Sequence, residues 1–321
     1  MSALSVAIYT YAQERFVGET LDSLLSALSP ARAKETEIVV SDDASPDGTA
    51  DVVASWFARH GDRFASCRLL RSETKEGPVR NYVRAVRSCS GDVVKPLAGD
   101  DIFCPGGLDA VTGMMDDDPD VAIAFGKVIA FTDRPGGTPP EWTREQRSFF
   151  SSDARGQFPM LASFDPLPAP GVFFRKSLFE ECRLWDYQFF WMEDWPLWLL
   201  ATIRGRRIAH LDAPAVYYRR HDASLTRRMS APGKDRVRVG VNRDRRIMYD
   251  AIILPRAREF GFSLRRHVRL RRFFFAWMES TRRPGLVNLC RELSLLVDPH
   301  RMARKASAVF SRFFRDGVQS P

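Results

Sequence analysis

Along the chain, short apolar runs alternate with segments whose apolar residues fall three and four apart, and polar turns separate the two. LSVAIY at residues 4–9 predicts a buried strand. After a polar loop, the spacing from Phe16 to Leu28 predicts an amphipathic helix. The rhythm then repeats: EIVVS at 37–41 predicts a strand, DDASPDGT a turn, and ADVVASWFARH a helix with Asp47 as its N-cap. CRLLR at 67–71 is a third strand, GPVRNYVRAVRS a third helix and DVVKPLA at 92–98 a fourth strand. Strands alternating with helices require crossover connections, so the expected fold class is α/β, with a mostly parallel sheet flanked by helices.

VAIAFGKVIAF at 121–131 is nearly continuous in apolar residues, as suits a strand buried on both faces. The pattern then dissolves into TDRPGGTPPEWTREQRSFFSSDARGQ, whose Gly, Pro and polar content predicts a mobile surface loop. PGVFFRK follows as a strand, EDWPLWLLATIRG as a helix, and RRIAHL and PAVYYRRH as two further strands. From about Ala231 the chain reads as arginine-rich helices with breaks at Pro255 and Pro284.

Charge sharpens that boundary. The net +8 of the 321 residues divides near Ser230 into −5 before it and +13 after it, so the expected organisation is a catalytic body at 1–229 and a basic helical extension at 230–321. Such an extension is attracted to phosphate-rich surfaces or an anionic acceptor. Five scattered cysteines show neither zinc nor disulfide spacing, which predicts a reducing compartment. The opening residues MSALSVAIYTYAQER carry no basic leader, and no run reaches the roughly 20 apolar residues of a membrane span. The expectation is a cytoplasmic chain, neither exported nor membrane-spanning.

Two aspartate pairs, Asp42–Asp43 and Asp100–Asp101, end the second and fourth predicted strands, where open parallel sheets bind ligands. Adjacent carboxylates repel unless a cation or donor-rich ligand compensates them, and oxygen-only donors favour Mg²⁺ or Mn²⁺. Each pair taken alone could equally cap a turn. The chain contains neither GxGxxG after its first strand nor GxxxxGK[ST], which disfavours dinucleotide and P-loop folds.

LSVAIYTYAQERFVGETLDSLL, EIVVSDDASPDGT, KEGPVRNYVRAVRSCSGDVVKPLAGDD, WMEDWPLWL and YYRRHDASLT, in that order over about residues 4–226, resemble the motifs of family 2 glycosyltransferases of the GT-A fold. The resemblance implies a Rossmann-like GT-A domain and an inverting transferase that uses a nucleoside-diphosphate sugar, expected to be UDP-linked, with Mn²⁺ or Mg²⁺. It places Thr10 and Glu14 against the nucleotide, Asp42 on the base or ribose with Asp43 supporting it, and Arg80 and Asn81 beneath the base. Asp100 and Asp101 match the end of the metal motif, Asp101 as the direct ligand. Asp194 of the Glu193–Asp194 pair matches the catalytic base, and His221 a residue near the diphosphate or metal. Three positions depart from the family pattern: Ala98 stands where a carboxylate is frequent, Ala12 where Asn is, and Ala44 where Gly is.

Trp191, Met192, Trp195 and Trp198 could wall a sugar site, although helical spacing favours a core role for Trp198 and Leu199. The remaining histidines, at 60, 210, 267 and 300, have no metal spacing. Residues 264–283 combine arginines with Phe273, Phe274, Phe275 and Trp277, and such a helix either lies on an anionic membrane or packs its aromatics inward. The expected acceptor is a glycan or lipid-linked hydroxyl in surface-polysaccharide synthesis. A non-catalytic sugar-nucleotide or polysaccharide binding module is the competing reading. Nucleic acid is not an expected partner, since no recognition motif accompanies the basic tail.

Overall fold

The β-branched and apolar runs assemble into a single eight-stranded sheet, ordered β3-β2-β1-β4-β7-β6-β8-β5. This computed structural model describes residues 2–221 and 235–280. The chain divides into two compact units, Met1–Ala231 and Pro232–Pro321. In the first, β1 (Leu4–Thr10) leads to α1 (Val17–Ala27) and the short α2 (Pro30–Lys34), and β2 (Thr36–Asp42) to α3 (Thr49–His60). Next come β3 (Ser66–Arg71), α4 (Pro78–Ser88), β4 (Val93–Ala98), β5 (Ile102–Phe103) and α5 (Gly107–Asp117). β6 (Ile123–Phe131), α6 (Arg144–Phe150), α7 (Ala154–Ser163), β7 (Val172–Arg175), α8 (Lys176–Cys182), α9 (Asp194–Ile203) and β8 (Ile208–Arg219) complete it.

β1 pairs in parallel with β2 and β4, and β2 with β3, so the alternating strands and helices of the first hundred residues do form a parallel half-sheet. Beyond β4 the directions mix. β7 runs antiparallel to both β4 and β6, β8 runs parallel to β6, and β5 caps the edge antiparallel to β8. Pro96 is tolerated in a central strand because β7 pairs only with Val93 and Val94, leaving no cross-strand acceptor wanting the missing N–H at 96. The core beneath the sheet is built from Val6, Ile8, Val17, Leu21, Ile38, Val40, Val53 and Trp56, all fully buried.

Three expectations are corrected. The stretch from 144 onward is not loop: Thr143 and Gln146 form a reciprocal capping box, and Phe149 and Phe150 are buried, so α6 and α7 are packed elements. RRIAHL and PAVYYRRH are one strand, β8, which runs past Pro214 because the irregular register falls opposite it in β6, around Lys127. Helix α3 starts after Gly48 rather than Asp47, whose carboxylate nonetheless accepts the Thr49 N–H at 3.2 Å.

In the second unit, α10 (Asp235–Met248) runs through a π-helical turn at Tyr249–Ile253 into α11 (Leu254–Ala257), followed by α12 (Gly261–Ser280). Pro255 lies in the first turn of α11, directly after the π-helical turn. Pro284, and the end of the arginine-rich stretch at 281–283, lie outside the described residues. Phe274 and Phe275 are buried, the latter meeting Tyr249 edge-on at 5.3 Å, while Phe273 is exposed. Among the described residues, no helix is long and apolar enough to cross a membrane.

Candidate active site

The parallel register brings Thr10 beside Asp42 and Tyr9 beside Ala98, so the loops after β1, β2 and β4 open at one sheet edge. Asp42 is buried and holds its own loop: Oδ2 accepts the Ser45 N–H at 2.9 Å and Oδ1 the Ser45 hydroxyl, whose oxygen accepts the Ala12 N–H at 2.9 Å. Asp43, also buried, accepts the N–H groups of Glu76 at 2.8 Å and Gly77 at 2.9 Å. Gly77 takes φ +101° there, a conformation that favours glycine. Asn81 donates to the Thr10 carbonyl at 3.1 Å and accepts from Arg84, which also donates to Ser41 Oγ at 2.8 Å and the Asp42 carbonyl at 2.9 Å. Glu14 is exposed and accepts the Gly48 N–H at 3.0 Å, tying the first loop to the second.

Arg80 is exposed on α4 and joins none of these contacts; the guanidinium at the strand ends belongs to Arg84, three residues beyond Asn81 on the same helical face. Ala12 and Ala44 adopt φ +54° and +56°, a left-handed conformation costing alanine about 1–2 kcal/mol. That cost gives a physical reason why Asn and Gly suit these positions. The buried Thr10 Oγ1 and Gln13 Oε1 have no partner among the described residues, and a Cβ on Gly99 would come within 3.1 Å and 2.8 Å of them. Tyr11 presents an exposed ring with the Lys75 ammonium 3.3 Å from its centroid.

Asp100 and Asp101 face different surroundings. Asp101 is buried, accepts the Arg219 N–H at 2.9 Å, and has its carboxyl pushed well above the usual range, first by desolvation and then by Asp100. Arg219 and the buried Lys95 oppose that shift. Lys95 donates to the carbonyls of Pro96 and Pro170 and stands 5.0 Å from the Phe173 ring, and burial pushes its ammonium down to about 7. Asp100 is partly exposed, and its Oδ2 lies 2.9 Å from Nε2 of His221, whose ring packs 4.8 Å from Phe16. Among the described residues, no group of three or more His, Cys, Asp or Glu could cage a metal. One carboxylate and one imidazole suit a divalent ion that takes its remaining ligands from substrate phosphates and water. The direct contact with an imidazole therefore falls to Asp100, while Asp101 is enclosed by protein.

The Glu193–Asp194 pair stands at the start of α9, where Asp194 Oδ1 accepts the Trp195 N–H at 2.7 Å. Trp195 is buried and donates from its indole to the Leu161 carbonyl at 2.8 Å, pinning α9 to α7. Trp198 and Leu199 are fully buried core, Met192 is buried and Trp191 half-buried. The loop before α9 crosses α4: Val79 N–H donates to the Phe190 carbonyl at 3.4 Å, and a Cβ on Gly77 would lie 2.5 Å from the Phe190 ring. Asp165, in the loop after α7, has its carboxyl pushed well up by desolvation and then by the charge of Asp194, against the pull of the Leu167 N–H.

Tyr9 joins the two sides. Its phenol is pushed well up by burial, then by Glu193, Tyr82, Asp101 and Asp100, so the strand-end carboxylates and the helix-start carboxylate act on one ring. Tyr82 packs edge-on at 5.4 Å and feels Glu193 and Asp194 in turn. Asp165, Arg84, Lys95 and Tyr11 were not singled out by sequence. Arg84 could have been found from its spacing to Asn81, whereas Asp165 sits in SFDPLPAP with no periodic signal.

A sequence model described as glycosyl transferase family 2 matches residues 5–182. An uncharacterised glycosyltransferase of Mycoplasma pneumoniae is 30% identical over 113 residues, 35% of this chain and 36% of that protein. An uncharacterised protein of Mycobacterium tuberculosis is 34% identical over 108 residues, 34% of this chain and 32% of that protein. The chain thus spans about a third of the length of each. Among solved structures, TarS 1-349 of S. aureus in complex with UDP superposes at TM-score 0.54 and 19% identity, covering 93% of this chain and 87% of that one. A mannosyltransferase of Pyrobaculum calidifontis with GDP-Man and Mn²⁺ superposes at 0.52 and 16% identity, covering 100% and 76%. The fold is that of the GT-A glycosyltransferases.

Proposed function

Because the chain belongs to glycosyl transferase family 2, we propose that it transfers a sugar, with inversion, from a nucleoside-diphosphate donor to an acceptor hydroxyl. The carrying observation is that parallel pairing aligns Thr10, Asp42 and Ala98 at the strand ends, with Asp100 next to His221 at 2.9 Å and buried Asp101 beside it. The nucleotide lies over the floor made by Thr10, Asp42, Asp43, Asn81 and Arg84, with Glu14 bracing the rim and Tyr11 offering its exposed ring to the base. Asp100 and His221 would hold a Mn²⁺ or Mg²⁺ ion, with buried Asp101 beside them as support. When bound, such an ion neutralises the departing diphosphate.

Asp194 accepts the proton of the attacking hydroxyl as the bond to the anomeric carbon forms, and the nucleoside diphosphate leaves from the opposite face. Asp165, whose own carboxyl is pushed up by burial and by the charge of Asp194, backs the same wall. Glu193 shapes the same wall. UDP is the donor nucleotide of this reading, supported by the UDP and UDP-GlcNAc complexes of TarS; the GDP-Man complex of the other neighbour keeps GDP as the competitor. The acceptor is a glycan or lipid-linked hydroxyl in surface-polysaccharide assembly at the inner face of a membrane, with 1–229 as the catalytic body and 230–321 as the basic extension.

A thermal-shift series tests the donor side. UDP raises Tm with Mn²⁺ or Mg²⁺ present and much less without, and UDP-sugars outperform GDP-sugars. No shift with any nucleoside diphosphate would overturn the proposal. Donor binding without transfer to any glycan or lipid-linked acceptor would favour the non-catalytic binding module.

A further inference from the structure

The exposed face of α12 carries a feature that the transfer chemistry does not use. A cavity of about 350 Å³ in the second unit is lined by Asp250, Leu254, Pro255, Arg258, Arg265 and Arg269. Its one acidic group is already satisfied: Arg272 grips Asp250 through two bonds of 2.8 Å and 3.1 Å, and Arg246 approaches it at 3.6 Å. The neighbouring Arg256 is paired with Glu259 at 2.7 Å. Among the described residues, Arg258, Arg265 and Arg269 have no carboxylate partner, so three arginines line a hollow whose one described carboxylate, Asp250, is held by Arg272 and Arg246. Converging guanidiniums suit the tetrahedral oxygens of a phosphate group.

The same face bears apolar anchors. Counted from Phe262, residues 265, 266, 269 and 273 fall three, four, seven and eleven positions on, which places Phe262, Arg265, Arg266, Arg269 and Phe273 on one helical stripe. Phe262 and Phe273 are 78% and 58% exposed, while the opposite stripe, with Val268, Phe274, Phe275 and Met278, is buried. The two rings stand about 16 Å apart along the axis, at ~1.5 Å per residue. Two exposed phenylalanines bracketing three arginines in one plane match a flat interface that is apolar below and anionic at its surface. A single-stranded nucleic acid would instead ask for aromatics at base spacing along a groove.

We propose that the cavity bounded by Arg258, Arg265 and Arg269 seats the phosphate of an anionic lipid headgroup, with Phe262 and Phe273 entering the acyl boundary on either side. This deepens the membrane-surface placement given above and is independent of the transfer chemistry in the first unit. The lipid phosphate pairs with the three arginines of the hollow, and the rings give the grip an apolar component that salt does not screen.

Vesicle flotation of the full chain provides the test, with phosphatidylcholine vesicles alone or carrying about a third phosphatidylglycerol. The expected result is binding to the anionic vesicles only. At about fivefold per basic residue near an anionic surface, the double variant R265E/R269E weakens partition by more than tenfold, and F262S/F273S leaves a weaker binding that high salt abolishes. Circular dichroism and the UDP-induced thermal shift stay unchanged in both variants, which separates lost lipid binding from lost fold and from any failure of the glycosyltransferase reading. No flotation, or flotation indifferent to both variants, overturns the proposal. So does a site filled by inorganic phosphate, with arginine-dependent thermal stabilisation but no vesicle binding, or tighter salt-sensitive binding to a single-stranded oligonucleotide than to vesicles.

Discussion

The floor beneath Thr10 and Asp42 and the wall carrying Glu193 and Asp194 both act on Tyr9 but are built by opposite means. On the floor, neighbouring parallel strands deliver short loops, and those loops satisfy one another: Asp42 holds Ser45, Asp43 holds Glu76 and Gly77, and Arg84 spans Ser41, Asp42 and Asn81. The wall is assembled from distant segments, with α7 fixed to α9 through Trp195 and the Phe190 loop laid across Gly77. A floor whose carboxylates and guanidinium are held by the protein's own donors and acceptors is preorganised. The wall instead buries Asp165 within reach of the charge of Asp194, and both burial and that charge push the Asp165 carboxyl up.

Substitutions at the adjacent aspartates sharpen the contrast most. Asp100→Asn should abolish metal-dependent stabilisation by UDP and lower transfer by about 10³-fold, since metal-borne charge stabilisation amounts to several kcal/mol. Asp101→Asn should instead leave nucleotide binding metal-dependent and leave stability in urea at neutral pH unchanged or raised, because burial and Asp100 already favour the uncharged carboxyl there. The reverse pattern would make Asp101 the metal ligand.

On the wall, the folded-state affinity of Asp165 for its proton is raised, so its stabilising contribution is full below the ordinary carboxylate range near about pH 4 and is lost as pH rises through the raised value. Asp165→Asn is therefore expected to raise Tm near neutral pH and to leave it unchanged in acid. The smallest effect belongs to the floor: Ala44→Gly should stabilise the fold by up to about 1 kcal/mol by relieving φ +56°, with donor affinity unchanged.

The floor was legible in the sequence because each of its parts is local. A strand run, an aspartate pair and a helix start follow one another within a dozen residues, and parallel pairing then aligns their ends. The identity of the guanidinium was the exception, since Arg80 and Arg84 differ only in which face of α4 they occupy. The wall was less legible. Gly, Pro and serine content concealed α6 and α7, although the Thr143–Gln146 capping box was present, and Asp165 comes under the charge of Asp194 only through the packing of α7 on α9. The division of labour between Asp100 and Asp101 was likewise invisible, because it depends on Arg219 and His221 arriving from the far end of β8.

The central claim is that the strand-end carboxylates hold the donor while Asp194 independently activates the acceptor. Calorimetric donor binding measured beside single-turnover transfer for Asp194→Asn tests it directly. The predicted result is a donor Kd within about twofold of the parent and a transfer rate lower by about 10²–10⁴-fold. Transfer at the parental rate, or donor binding lost together with transfer, would contradict it.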